Sequence, residues 1–100
     1  MTALQSSMEA LRLRFIARAG DDLLQLRTQA QKGAMTAEDL RALVHRLAGS
    51  AGLFGYPAIS VLASAVEDDV IETGMSASLP DLMLALENVI AKASHRPPAG

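Results

Sequence analysis

Apolar residues recur along this chain at helical spacing, and no stretch alternates as a half-buried strand would. Leu4, Met8, Leu11, Phe15, Ala19, Leu23, Leu26 and Ala30 form one stripe through the first third. Gly20, followed by Asp21 and Asp22, is a point where that stripe can bend. The pattern is read as a short lead-in helix near residues 3–9 and a longer one near 11–32, closed by Lys32 as a cationic last turn and Gly33 as a C′ glycine. Thr36 before Glu38 and Asp39 predicts the N-cap of a second long helix, with Leu40, Leu43, Val44, Leu47, Ala51 and Phe54 on its apolar face. Gly55 and Tyr56 make the next turn, and Pro57 suits the first position of a third helix, which buries Ile59, Leu62, Val66 and Val70 and stops near Gly74. Ser78 with Pro80 and Asp81 opens a fourth, carrying Leu82, Leu86, Val89 and Ile90. His95-Arg96-Pro97-Pro98 ends it before a frayed tail. The expectation is all-α: an antiparallel up-down-up-down four-helix bundle with a short N-terminal lead-in helix.

Composition narrows the function more than the fold. One hundred residues make one domain, its core spanning about 3–94, and such a chain buries roughly 60–70% of its unfolded surface. There is no cysteine, so a disulfide framework and a thiolate metal site are excluded, which agrees with a cytoplasmic location. With a net charge of −2 and only one Tyr and two Phe, the chain has neither the basic face nor the stacking rings of a nucleic-acid binder. No apolar run reaches the roughly 20 residues of a membrane span.

The chemistry-bearing stretch is His45-Arg46-Leu47-Ala48-Gly49-Ser50-Ala51-Gly52-Leu53-Phe54-Gly55. At about 100° per residue, His45 points roughly 150° away from the centre of its helix's apolar stripe. Ala42, Gly49 and Gly52 share its side, with Ala48 at i+3. Glycine inside a helix costs roughly 1 kcal/mol relative to alanine, so a helix that keeps two of them beside one histidine keeps that surface bare for a reason. The simplest is that a large object must reach the imidazole.

His45 lies eleven residues before Tyr56, the centre of the turn, and Glu67 lies eleven after it. In an antiparallel helix pair such residues stand at the same height. A Glu67 carboxylate accepting from Nδ1–H of His45 would hold the tautomer with Nε2 free and outward. The alternative for Glu67, Asp68 and Asp69 is a solvated acidic run. His95 reads as a cation at a helix C-terminus, Ser50 as small-residue packing, and Met8, Met35, Met75 and Met83 as filler or surface. Arg12, Arg14 and Arg18 are a candidate basic flank.

The run HRLAGSAGLFG resembles the signature of the histidine-containing phosphotransfer (HPt) domain: H-x-L-K/A-G-x-A/S, then an apolar pair and Gly. The likeness extends to the amphipathic helices and covers nearly all of 3–94. It implies that His45 is the phosphoacceptor, through Nε2, and that Glu67 contacts its Nδ1. It also implies partners, namely a receiver domain of a response regulator or a hybrid histidine kinase, with Mg²⁺ held by the receiver, so that this chain needs no metal or cofactor of its own. Many members carry Lys or Arg at the Ala48 position; Ala48 offers no such cation, which leaves Arg41, one turn before His45, and Arg46 as candidates. The expected docking surface is Arg41, Ala42, Arg46, Ala48, Gly49 and Gly52.

Three functions are open to such a chain. A phosphoryl carrier in a two-component phosphorelay leads. An HPt-like module that docks a receiver or kinase without carrying phosphate is the alternative, with Ala48 its best support. An independent enzyme built on a His45–Glu67 dyad fits least, because an exposed convex helix face offers no pocket to exclude water.

Overall fold

A computed structural model of the protein describes residues 3–33, 35–74 and 77–94. Four helices form: α1 (Ala3–Lys32), α2 (Ala37–Leu53), α3 (Pro57–Thr73) and α4 (Leu79–Ser94). Their ends follow from local chemistry. Gly33 takes φ 60° and donates its N–H to the Gln29 carbonyl, closing α1. Thr36 caps α2, its side chain accepting from the Asp39 N–H at 3.1 Å. Between α2 and α3, Gly55 adopts φ 85° and the Tyr56 N–H reaches back to the Ala51 carbonyl at 2.8 Å, the bond of a Schellman turn. Pro57 then opens α3, and Gly74 at φ 76° ends it.

The helices form a bundle in which α2 packs chiefly on α3 and α1 on α4, while α3 against α4 joins the two pairs and the α1–α2 seam is thin. Leu26, Val44, Leu47, Ile59, Val66, Leu82 and Leu86 are almost wholly buried at its centre. Each such side chain contributes roughly 1.5–3 kcal/mol relative to exposure. Leu62, Phe54, Val89 and Ile90 close the core as half-buried residues, and Met35 and Met83 fill gaps beside them. The chain's three aromatics meet at one end. Phe15 of α1 stacks on Tyr56 at 5.0 Å between ring centroids and lies 5.8 Å from Phe54, pinning the α2–α3 turn to α1.

One expectation about α1 is corrected. It is a single unbroken helix, and residues 3–9 are its first turns, not a separate lead-in. Gly20 interrupts nothing, because flanking Ala19 and Asp22 are both buried against the other helices and hold the helical path. At 1.5 Å per residue α1 is about 45 Å long, against roughly 25 Å for each of the others. The molecule's longest dimension is accordingly 48 Å. Met8 and Leu11, placed on the core stripe by periodicity, are exposed, as is Ala30; the core begins at Phe15. The side chain of Leu4, residue Met75 and the stop sequence His95-Arg96-Pro97-Pro98 lie outside the described residues.

Candidate functional site

Period and burial together aim the histidine. Leu43, Val44, Leu47 and Ala51 turn one side of α2 into the core, which forces His45 onto the opposite side, where its side chain is 72% exposed. Ala42, Gly49 and Gly52 are exposed with it. A Cβ added at Gly49 would meet nothing within 4 Å, so the fold itself does not require glycine there. At Gly52 a Cβ would lie 3.4 Å from the Ser60 hydroxyl oxygen, an ordinary contact. That hydroxyl donates to the Ala48 carbonyl at 2.9 Å, drawing α3 close to α2 just beyond the histidine. Ala48 is half-buried in this seam against the core cluster, which makes it less accessible than Ala42, Arg46, Gly49 and Gly52.

Glu67 stands level with His45 across the α2–α3 pair. Both carboxylate oxygens face the ring: Nδ1 is 3.0 Å from Oε2 and 3.2 Å from Oε1. Because Val66 and Val70 bury one side of α3, Glu67 emerges at the edge of the interface, its side chain only 15% exposed. A neutral ring that donates its Nδ1 proton to this carboxylate has its Nε2 lone pair free.

Neither candidate cation stands free beside the imidazole. Arg41 donates from Nη2 to Glu38 Oε1 at 2.7 Å and from Nε to Glu38 Oε2 at 3.4 Å, while its Nη1 reaches Glu67 Oε2 at 3.4 Å. The hydrogen bonds from Arg41, and then its charge, hold the Glu38 carboxyl below the usual carboxylate range. Arg41 is in turn pushed further up, by the bond to Glu38 first, then by that carboxylate's charge, with a smaller share from Glu67. Arg46 turns the other way and donates to Asp22 of α1 at 2.8 Å.

Two features had no place in the reading from sequence. Asp22 is a buried carboxylate, 3% exposed, whose pKa is raised by burial against the opposing charges of Arg46 and Arg18. It lines a cleft of about 150 Å³ between α1 and α2, walled by Leu11, Phe15, Leu47 and Phe54; His45 is not on that wall. Leu53, two turns beyond His45 on α2, is 77% exposed and adds an apolar edge to the glycine surface. Its place at i+8 on the histidine's side was the signal that would have found it. Asp22 carried no such signal, because its burial depends on Arg46 from another helix.

Among the described residues no group of three or more His, Asp or Glu is placed to hold a metal ion, and no helix is long and apolar enough to cross a membrane. No curated protein and no solved structure matches this chain. The family model described as the Hpt domain does match, over residues 10–96, a span that takes in His45, Glu67 and all of α2 and α3. Four helices without a strand among the described residues, an outward histidine on the second of them and that match agree, and the chain belongs to the Hpt domain family.

Proposed function

We propose that this protein is the phosphoryl carrier of a two-component phosphorelay, taking the phosphoryl group on Nε2 of His45 from a receiver-domain aspartate, or from a kinase, and passing it to another receiver aspartate. Hpt domains are phosphocarrier modules that work with receivers and kinases, so the family supports the class of reaction. The observation that carries the assignment to His45 is its Nδ1 held 3.0 Å from the Glu67 carboxylate while the ring stands exposed beside Gly49 and Gly52.

In the forward step the Nε2 lone pair attacks phosphorus in line with the aspartyl oxygen. The N–P bond forms as the P–O bond breaks, and the aspartate leaves with the electron pair as a carboxylate. The imidazole keeps its Nδ1 proton and becomes cationic, which is when the Glu67 carboxylate stabilises it most. Return transfer reverses these changes on a second aspartate. Positioning and charge neutralisation dominate phosphoryl transfer. The receiver supplies the divalent cation and the enclosure that an exposed helix face lacks, and this chain supplies an oriented nucleophile. With Arg41 and Arg46 both engaged by carboxylates, positive charge at the phosphoryl oxygens also comes mainly from the partner.

Incubation with a phosphorylated receiver should label the wild-type protein on His45 Nε2 and leave His45→Gln unlabelled. Equal labelling of the variant refutes the assignment. The second reading, a docking module that carries no phosphate, draws on Ala48 and on the two engaged arginines. It requires that His45→Ala retain both receiver binding and pathway output, whereas the carrier keeps binding and loses output.

A further inference from the structure

Arg41 is the residue whose surroundings the carrier reading leaves unexplained. A cation one turn from a phosphoacceptor would be expected to wait for the phosphoryl group. Its guanidinium is instead forked onto Glu38, and its remaining face is turned to Glu67. The oxygen it meets, Glu67 Oε2, is the same one that lies 3.0 Å from Nδ1 of His45.

We propose that Arg41 is a positioning residue: braced by Glu38, it holds the Glu67 carboxylate against Nδ1 of His45 and so keeps the ring in the tautomer with Nε2 free. This rests on the carrier reading for its functional meaning, but its structural content stands apart from it. Glu67 reaches the ring from another helix through three rotatable bonds, and the imidazole itself is exposed. A carboxylate so placed needs a second anchor to remain on one side of a mobile ring, because immobilising a glutamate side chain costs rotamer entropy. Arg41 supplies the anchor. Glu38 keeps the guanidinium from swinging away, since an i,i+3 pair within the first turns of α2 is fixed by the helix itself. Residues that support a metal-bound histidine commonly alter activity by about 10–100-fold when lost, and the lower end of that range is the expectation for a support of the Glu67 carboxylate.

The test combines ring-nitrogen NMR with a double-mutant cycle. In ¹⁵N spectra of the wild-type protein, at a pH where the ring is neutral, His45 should carry its proton on Nδ1. Arg41→Ala should shift the ring toward a mixture of tautomers, Arg41→Lys should restore part of the Nδ1–H form, and Glu38→Ala should move it the same way by less. Transfer from a phosphorylated receiver should slow by about 10-fold in Arg41→Ala. Made in a Glu67→Ala background, the same change should slow transfer no further, because Arg41 acts through that carboxylate. An unchanged tautomer in Arg41→Ala overturns the proposal, and so does a full additional loss in the Glu67→Ala background, which would place Arg41 directly on the phosphoryl group or the receiver. If wild-type His45 takes no phosphate at all, the carrier reading fails, and the NMR result alone decides the role of Arg41.

Discussion

Replacing Gly49 separates what the fold needs from what the partner needs. The residue lies inside α2, is exposed, and has room for a Cβ with no heavy atom of another element within 4 Å. Alanine there removes the entropic penalty of a helical glycine without a steric cost, a gain of about 1 kcal/mol. For a domain near 100 residues that corresponds to a rise in melting temperature of about 4–8 °C. Gly49→Leu should keep most of this gain, since leucine is nearly as good a helix former. Gly52→Ala should gain less, because its new methyl would rest against Ser60. Transfer should move the opposite way. A helical side chain leans toward the N-terminus, so a leucine side chain at this position would lie across the surface beside the imidazole one turn back. Loss of even 1.4 kcal/mol of docking or transition-state stabilisation is a 10-fold slower reaction, and Gly49→Leu should lose at least about that much. Thermal melts followed by circular dichroism and the time course of phosphate transfer from a receiver give the two readouts. A lower melting temperature in Gly49→Ala would show that the fold does need the glycine. Transfer by Gly49→Leu at the wild-type rate would show that no partner approaches that surface.

Three further outcomes follow from the same structure. Glu67→Ala should leave the bundle folded and slow transfer, while Glu67→Gln, which still offers an acceptor to Nδ1–H, should be milder; equal wild-type rates in both would remove the orienting role. Asp22 has a folded pKa raised above its usual 3.8, so its contribution to stability is fully present below pH 3.8 and is lost as pH rises through the raised value. Asp22→Asn keeps an acceptor for Arg46 without the buried charge, and its stability relative to wild type in urea titrations should therefore climb across that window; a flat difference would contradict the assignment. Leu82→Ala, at a fully buried site, should destabilise by about 3–5 kcal/mol, whereas Met8→Ala, exposed near the start of α1, should change stability by less than about 0.5 kcal/mol in the same assay.

Local chemistry carried a large share of this protein into the sequence itself. Thr36, Gly33, Pro57 and Gly74 set helix ends through bonds and dihedrals that reach no further than four or five residues, so they can be read without the fold. The outward aim of His45 follows from helical period alone, and the symmetry of the Tyr56 turn set Glu67 level with it but left a solvated acidic run open until the packing brought carboxylate and ring together. Tertiary structure decided everything that depends on what another helix presents. Periodicity placed Met8 and Leu11 on the core stripe, but in the bundle both stay exposed, Leu11 at the rim of the cleft between α1 and α2. Arg41 and, with a less favourable direction, Arg46 were both candidate cations for the site; the bundle directs one to Glu67 on α3 and the other to Asp22 on α1. A side chain's direction is a property of its own helix, whereas its partner is a property of the packing, and for these two arginines the second determines the chemistry.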